Sequence, residues 1–371
     1  MDGSGGTQVI HVHESGDGPG MLLLCGEEPD NVVQARAKLF AEEGYAVLAM
    51  PDGTSAEKVA SAADRLAGAA ECTGGMVCVA HGGSVTSALN SAERFDAIVA
   101  FDALPEDCET FGVAELPCPV VFQFGSLNSS EIVSAAEALT AKLDSLNGDR
   151  VYLWPDAAPG FALPGHPAFD GRVDSLAHSR TLELIRRVVG PHYDYVALFA
   201  EHIRHEFETR DVDATMATMI SDPYVNHVAT LAGGVGHDML KRFYKYHFVE
   251  QNSRERSSVT VSYTLGPDRV VLELVVRFKH DQVLDRYFPD IEPTQEFVEL
   301  ATVLIVKFRG DKVCHEHIYW DQGSALKQIG VLDTVDLPVA GAEAARKVLD
   351  EHLPSNIFMQ AAWATSDGKP I

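Results

Sequence analysis

The hydrophobic pattern of this chain changes period near its middle, and that change constrains the fold more than any single motif. In the first half, apolar runs of four or five residues (Met21–Leu24, Ala46–Met50, Met76–Ala80, Ala97–Phe101, Val120–Phe124 and Val151–Trp154) alternate with stretches of helical spacing at Asn31–Glu43, Ala56–Ala70, Ser84–Ala92 and Ser130–Leu146. Runs so short and so uniformly apolar suit strands buried on both faces, and strand–helix alternation closes them into a mostly parallel, doubly wound sheet. A helix over about Ser175–Val189 stops at Gly190-Pro191, a natural joint. The second half reads differently. Helical patterns at Tyr195–Asp211, Asp213–Ile220 and His237–Phe248 precede long period-2 strands at Ser257–Leu265, Arg269–His280, Glu296–Arg309 and Lys312–Trp320. Turns at Gly266-Pro267-Asp268 and Arg309-Gly310-Asp311 make hairpins of neighbouring strands, which predicts an α+β domain with helices over one sheet face. The expected domains are 8–192 and 195–332, followed by a tail over 333–371 with one helical stretch, Ala342–Leu353.

Charge and cysteine usage narrow the function classes. Asp plus Glu number 54 against 29 Lys plus Arg, a net charge of −25. Such a chain repels phosphate backbones and anionic lipid, so neither nucleic acid nor a membrane surface is an expected partner. No apolar run approaches the ~18 residues of a membrane span, and residues 1–7 carry neither a basic nor an apolar leader, so a cytoplasmic protein is expected. Cys25, Cys72, Cys78, Cys108, Cys118 and Cys314 form no CxxC pair and no metal-ligand spacing. They read as reduced thiols, with no metal and no cofactor expected.

In the first half, Met76-Val77-Cys78-Val79-Ala80-His81-Gly82-Gly83-Ser84 places a glycine pair between an apolar strand and a helix, where a nucleophile elbow would lie. With Glu42-Glu43-Gly44-Tyr45-Ala46-Val47-Leu48 ahead of Pro51-Asp52, and Arg180-Thr181-Leu182-Glu183-Leu184 near the domain end, this stretch resembles the dienelactone hydrolase (carboxymethylenebutenolidase) family of α/β-hydrolases over about residues 8–192. The resemblance implies a cysteine nucleophile two residues before the glycine pair, an acid three residues after a strand-ending glycine, and a histidine ahead of a small-Phe pair. Those positions hold Ala80, Asn128 and Pro159. An alanine cannot attack and a proline cannot accept a proton, so the expectation is a hydrolase fold without its triad. Cys78 reads as a buried strand thiol. His81 could line a residual pocket, and His166 could move into the vacant place.

In the second half the strand Val313–Asp321 sets His315, His317, Tyr319 and Asp321 on one side, with Cys314, Glu316, Ile318 and Trp320 opposite. The polar stripe is either a solvated outer face or the wall of a pocket. Asn226-His227, after Asp222-Pro223-Tyr224, and Arg277, within Val275-Val276-Arg277-Phe278, add candidates for a pocket. Two histidines at i, i+2 with a carboxylate could also hold a metal, but no further ligand is evident. The segments Asp222–His227 and His315–Gln322, the latter running into Leu326-Lys327-Gln328-Ile329-Gly330, resemble the SnoaL-like polyketide cyclase group within the cystatin-like cone fold of nuclear transport factor 2, over about 195–332.

That resemblance implies Asp321 as the acid/base residue, and a homodimer paired through the sheet. On this reading His317 and Tyr319 or Asn226 would serve the oxyanion, and His315, His227 and Arg277 the substrate. The expected activity is proton transfer next to the carbonyl of a small apolar or aromatic compound, as in a cyclase or isomerase. Two other readings stay open: a noncatalytic ligand-binding or dimerisation protein, and a hydrolase with a relocated nucleophile.

Overall fold

A computed structural model of the protein describes residues 10–50, 55–111, 116–143 and 150–371. The chain forms two compact units that divide between Tyr193 and Asp194.

The amino-terminal unit is built on β1 (Ile10–His11), β2 (Gly18–Leu24), β3 (Ala46–Met50), β4 (Cys72–His81), β5 (Ala97–Phe101), β6 (Val120–Gly125) and β7 (Arg150–Trp154). They lie in the order β1-β3-β2-β4-β5-β6-β7, parallel throughout except for β1. The order reverses beside β2, as in a doubly wound α/β-hydrolase-like sheet. Met21, Leu23, Val77 and Val99 pack under the helices Asp30–Glu42 and Gly171–Val189. Leu22, Leu48, Cys78 and Ile98 pack beneath Ala56–Ala67 and Ser84–Leu89 on the other face. Both faces are covered, which is why these strands read as continuous apolar runs rather than alternating ones. One buried ionic cluster ties the helices together. Glu43, just past the first of them, accepts from Arg186 at 2.6 Å and from His178 Nε2 at 2.9 Å, both on Gly171–Val189.

The carboxy-terminal unit is an α+β cone. Its first helix, Tyr195–Arg204, widens into a π-helical turn at His205–Thr209, and Val212–Ala217 follows. The strands are β8 (Met219–His227), β9 (Ala232–Val235), β10 (Arg256–Leu265), β11 (Arg269–Lys279), β12 (Phe297–Arg309) and β13 (Lys312–Tyr319), in the order β10-β11-β12-β13-β8-β9. Only the β13–β8 pair is parallel. β8 corrects the sequence reading, which carried a helix to Ile220 and left the next residues unassigned. Ser221, Asp222 and Pro223 break its alternation, and β9 contains Gly233 and Gly234, so neither strand carries a clean period-2 signal. The helix Ala342–Leu349 belongs to this unit. Its Ala345 is fully buried, and its Arg346 pairs with Glu299 of β12 at 3.0 Å. Among the described residues no helix is long and apolar enough to cross a membrane.

Candidate active site

The alternation of β13 decides which side chains face the interior of the cone. Cys314, Glu316 and Ile318 point inward and are buried, whereas His315 and His317 are half-buried and Tyr319 is 40% exposed. The polar stripe read from the sequence is therefore the outer face of the strand. The register with β8 carries this across: His317 sits opposite Asn226, and Ile318 opposite His227. Asn226 accordingly shares the outer face, where the Tyr224 ring meets His315 and His317 edge-on at 5.5 and 5.4 Å. Burial first, then Lys307 and Arg309, pulls His315 down to about 4. Arg277 is exposed on the outer face of β11, over the Phe297 ring and 3.5 Å from Glu299. Asp321 is exposed and caps the helix Gln322–Gln328, accepting from the Gly323 amide at 2.8 Å and the Ser324 hydroxyl at 2.9 Å. Of the residues singled out in the second half, His227 alone lines the cavity.

That cavity measures about 330 Å³. One part of its wall is acidic: Glu206 from the π-helical turn, Glu316 from β13, and the phenol of Tyr244. Behind them His202, fully buried, places Nε2 3.0 Å from Glu316 and 3.2 Å from Glu206. Its Nδ1 lies 2.6 Å from the Thr218 hydroxyl, which itself donates to the Thr215 carbonyl, so Nδ1–H is the donor. Burial opposes a charge on His202, yet the carboxylates of Glu316 and Glu206 outweigh it and raise the imidazole to about 10. One imidazolium neutralises one carboxylate. A second bare carboxylate would be costly out of water, and burial holds the Glu316 carboxyl above the usual range against the pull of His202. Burial, then Glu316 and Glu206, also raises the Tyr244 phenol. The three donor atoms of His202, Glu206 and Glu316 lie within 4.8 Å of one another, a spacing that would also suit a divalent cation. Here the imidazolium charge sits between the two acids as an ion pair.

His227 differs from His202. Burial, reinforced by Arg286, pulls it down to about 3, and its Nδ1 lies 3.2 Å from the Ala232 carbonyl. It is a neutral imidazole that donates to the backbone and leaves Nε2 as an acceptor.

At the corresponding end of the amino-terminal sheet the groups are arranged to other ends. Ala80 is fully buried within β4, and the left-handed turn falls two residues later, at Gly82 with φ 54°. This corrects the position implied by the resemblance: the residue whose side chain would stand exposed at the turn is a glycine. Neither Ala80 nor Gly82 can be a nucleophile. His81 stacks on Phe101 at 4.6 Å, and burial, with Arg36 adding, lowers it to about 3. Cys78 is fully buried, which pushes its thiol up and away from the reactive thiolate. Asn128 donates to Asp102 at 3.0 Å, and the amides of Gly125 and Gly160 complete that carboxylate's shell. Pro159 precedes Gly160, over which the His166 ring lies. Nδ1 of His166 accepts from the Ala168 amide at 3.0 Å. Among the described residues at this end of the sheet, no hydroxyl or thiol is hydrogen-bonded to an imidazole.

No protein-family model matches the sequence, and no curated protein does. Solved structures match it in two kinds. A dienelactone hydrolase candidate from Klebsiella pneumoniae covers 46% of this chain and 87% of its own, at 13% identity and a TM-score of 0.39. A dienelactone hydrolase-like promiscuous phosphotriesterase from metagenomic libraries covers 48% and 89%, at 18% identity and 0.38. A SnoaL-like polyketide cyclase candidate from Jannaschia sp. CCS1 covers 39% of this chain and all of its own, at 15% identity and 0.31. The chain is similar to two kinds of protein, each along part of its length.

Proposed function

We propose that the carboxy-terminal cone is an acid/base centre of the cyclase or isomerase type, acting on a small carbonyl compound, and that the amino-terminal unit keeps a hydrolase-like fold without hydrolase chemistry. One observation carries this reading: a buried carboxyl, Glu316, faces the cavity beside a buried phenol, with its proton affinity raised. A carboxyl raised towards neutrality can take a proton from carbon next to a carbonyl and return it elsewhere. Tyr244 supplies a hydrogen bond to the oxygen that gains charge as the proton leaves. His202 is a positioning residue that holds Glu316 and Glu206 side by side. The role that the resemblance implies for Asp321 passes to Glu316, because the Asp321 carboxylate is engaged by the helix it caps.

Exchange of α-hydrogens for deuterium in a panel of small cyclic ketones, followed by NMR, tests this. Glu316→Gln should slow exchange by about 10²–10⁴-fold, while Asp321→Asn leaves the rate within a factor of two or so. Equal rates in wild type and Glu316→Gln, or a loss that follows Asp321 instead, would remove Glu316 from the mechanism.

A further inference from the structure

Away from the two glutamates the cavity wall carries Arg256 and Arg286. In a chain with 54 acidic and 29 basic side chains, an arginine without an acid partner is not the default. The other buried arginines are paired, Arg36 with Asp174 and Arg186 with Glu43. Arg286 is only 3% exposed, and its hydrogen-bond acceptors are neutral, the Gln251 carbonyl and the Asn252 side-chain oxygen. Its guanidinium lies over the rings of Phe248 and Tyr287, at 4.4 and 4.7 Å. Arg256 lies 4.0 Å over Phe207, and its Nε is buried with no acceptor. Among the described residues, neither arginine forms an ion pair. Glu206 acts on Arg256 only through space, and His202 already engages it. The two guanidinium charges therefore repel each other in a cavity walled by aromatic rings.

Burying two like charges without a counter-charge is costly unless a bound anion repays it. A carboxylate is the match in shape, since its two oxygens accept from a guanidinium fork side by side. The Phe207 and Phe248 rings beside the arginines favour a flat, apolar body behind that carboxylate. A cavity of about 330 Å³ limits the guest to roughly one ring and a short chain. The floor adds Thr302, whose buried hydroxyl has no partner.

We propose that Arg256 and Arg286 form an anion site that anchors the carboxylate of a small aromatic or conjugated acid, leaving its far end towards Glu316 and Tyr244. This rests on the reading of the cone as a ligand-binding acid/base centre, and it narrows the substrate class to carboxylates. The carboxylate replaces the missing counter-charge, and the acidic wall keeps the acid from binding the other way round.

Calorimetric titration of the full chain with trans-cinnamate and benzoate, against cinnamamide and benzamide, tests the site. The acids should bind at least tenfold more tightly than the amides. Arg256→Gln should remove that preference, and Arg256→Lys, which keeps the charge but not the fork, should retain part of it. Arg277→Gln, on the outer face of the sheet, should leave it unchanged. Amides binding as well as acids, or a preference that survives Arg256→Gln, would overturn the proposal. Binding is read here without turnover. An acid preference in a protein with no Glu316-dependent exchange would sustain the anion site and sink the catalytic reading, and the reverse pattern would do the opposite.

Discussion

The two units treat their ionisable side chains in opposite ways. At the strand ends of the amino-terminal sheet, Asp102 is enclosed by backbone amides and Asn128, and His81 lies flat against Phe101. The turn that could display a nucleophile displays a glycine. In the cone, Glu206, Glu316, Arg256 and Arg286 face a cavity, and among the described residues neither arginine is ion-paired with an acid. The difference teaches that topology and chemistry part company easily. A sheet can keep the order that builds a site while its carboxylate is enclosed by amides and its turn offers no nucleophile.

The largest expected effect probes the closed side. Glu43→Ala strands the buried Arg186 and His178, and should cost the amino-terminal unit about 3–5 kcal/mol, read from urea unfolding at Trp154. Ligand binding in the cone should be untouched. A cost under about 1 kcal/mol would mean that the cluster is not what holds those helices.

Acidity sharpens the comparison next. His81 in one unit and His227 in the other are lowered to about 3, so each contributes stability that is present above pH 6.5 and lost as the pH falls towards 3. His202 runs the other way. Raised to about 10, it contributes stability that is full below pH 6.5 and lost as the pH rises through 10. Acid should weaken both units, whereas alkali should weaken the cone by an additional amount on the order of a few kcal/mol. Melting curves between pH 6 and 10 check this, and a cone transition as flat as that of His202→Gln would refute the clamp.

The smallest expected effect is a null one. A Cβ on Gly82 would meet nothing within 4 Å, so Gly82→Ser has room despite its left-handed backbone. Strain should be about 1 kcal/mol, and hydrolysis of p-nitrophenyl acetate should stay at the wild-type level, for want of a base. A hundredfold rise would show that the amino-terminal sheet still holds one.

Much of the fold was legible in the sequence because the strands of each half follow a regular hydrophobic pattern, even where the edge strand β10 stays exposed. Continuous runs announced β2 to β7, and period-2 alternation announced β10 to β13. The site was harder to read. Alternation says which residues share a face of β13, not which face is inside, and His315, His317 and Tyr319 drew the eye because polar side chains cluster there. Glu316 was the better signal, a single carboxylate between Cys314 and Ile318 on an otherwise apolar face. His202 and Glu206 carried a second. Four residues apart on a helix, they follow Phe199 at helical spacing on its buried side, where an acid and an imidazole are out of place unless paired.

The phase of β13 against β8 carries a consequence of its own. Neighbouring residues on a strand look opposite ways, so a single-residue insertion in the hairpin around Gly310 would turn the whole wall over at once. The acid would rotate out to solvent while two imidazoles and a phenol swung into the chamber. A lineage of such cones could thus exchange one catalytic repertoire for another by a lone codon's indel, with no substitution at all.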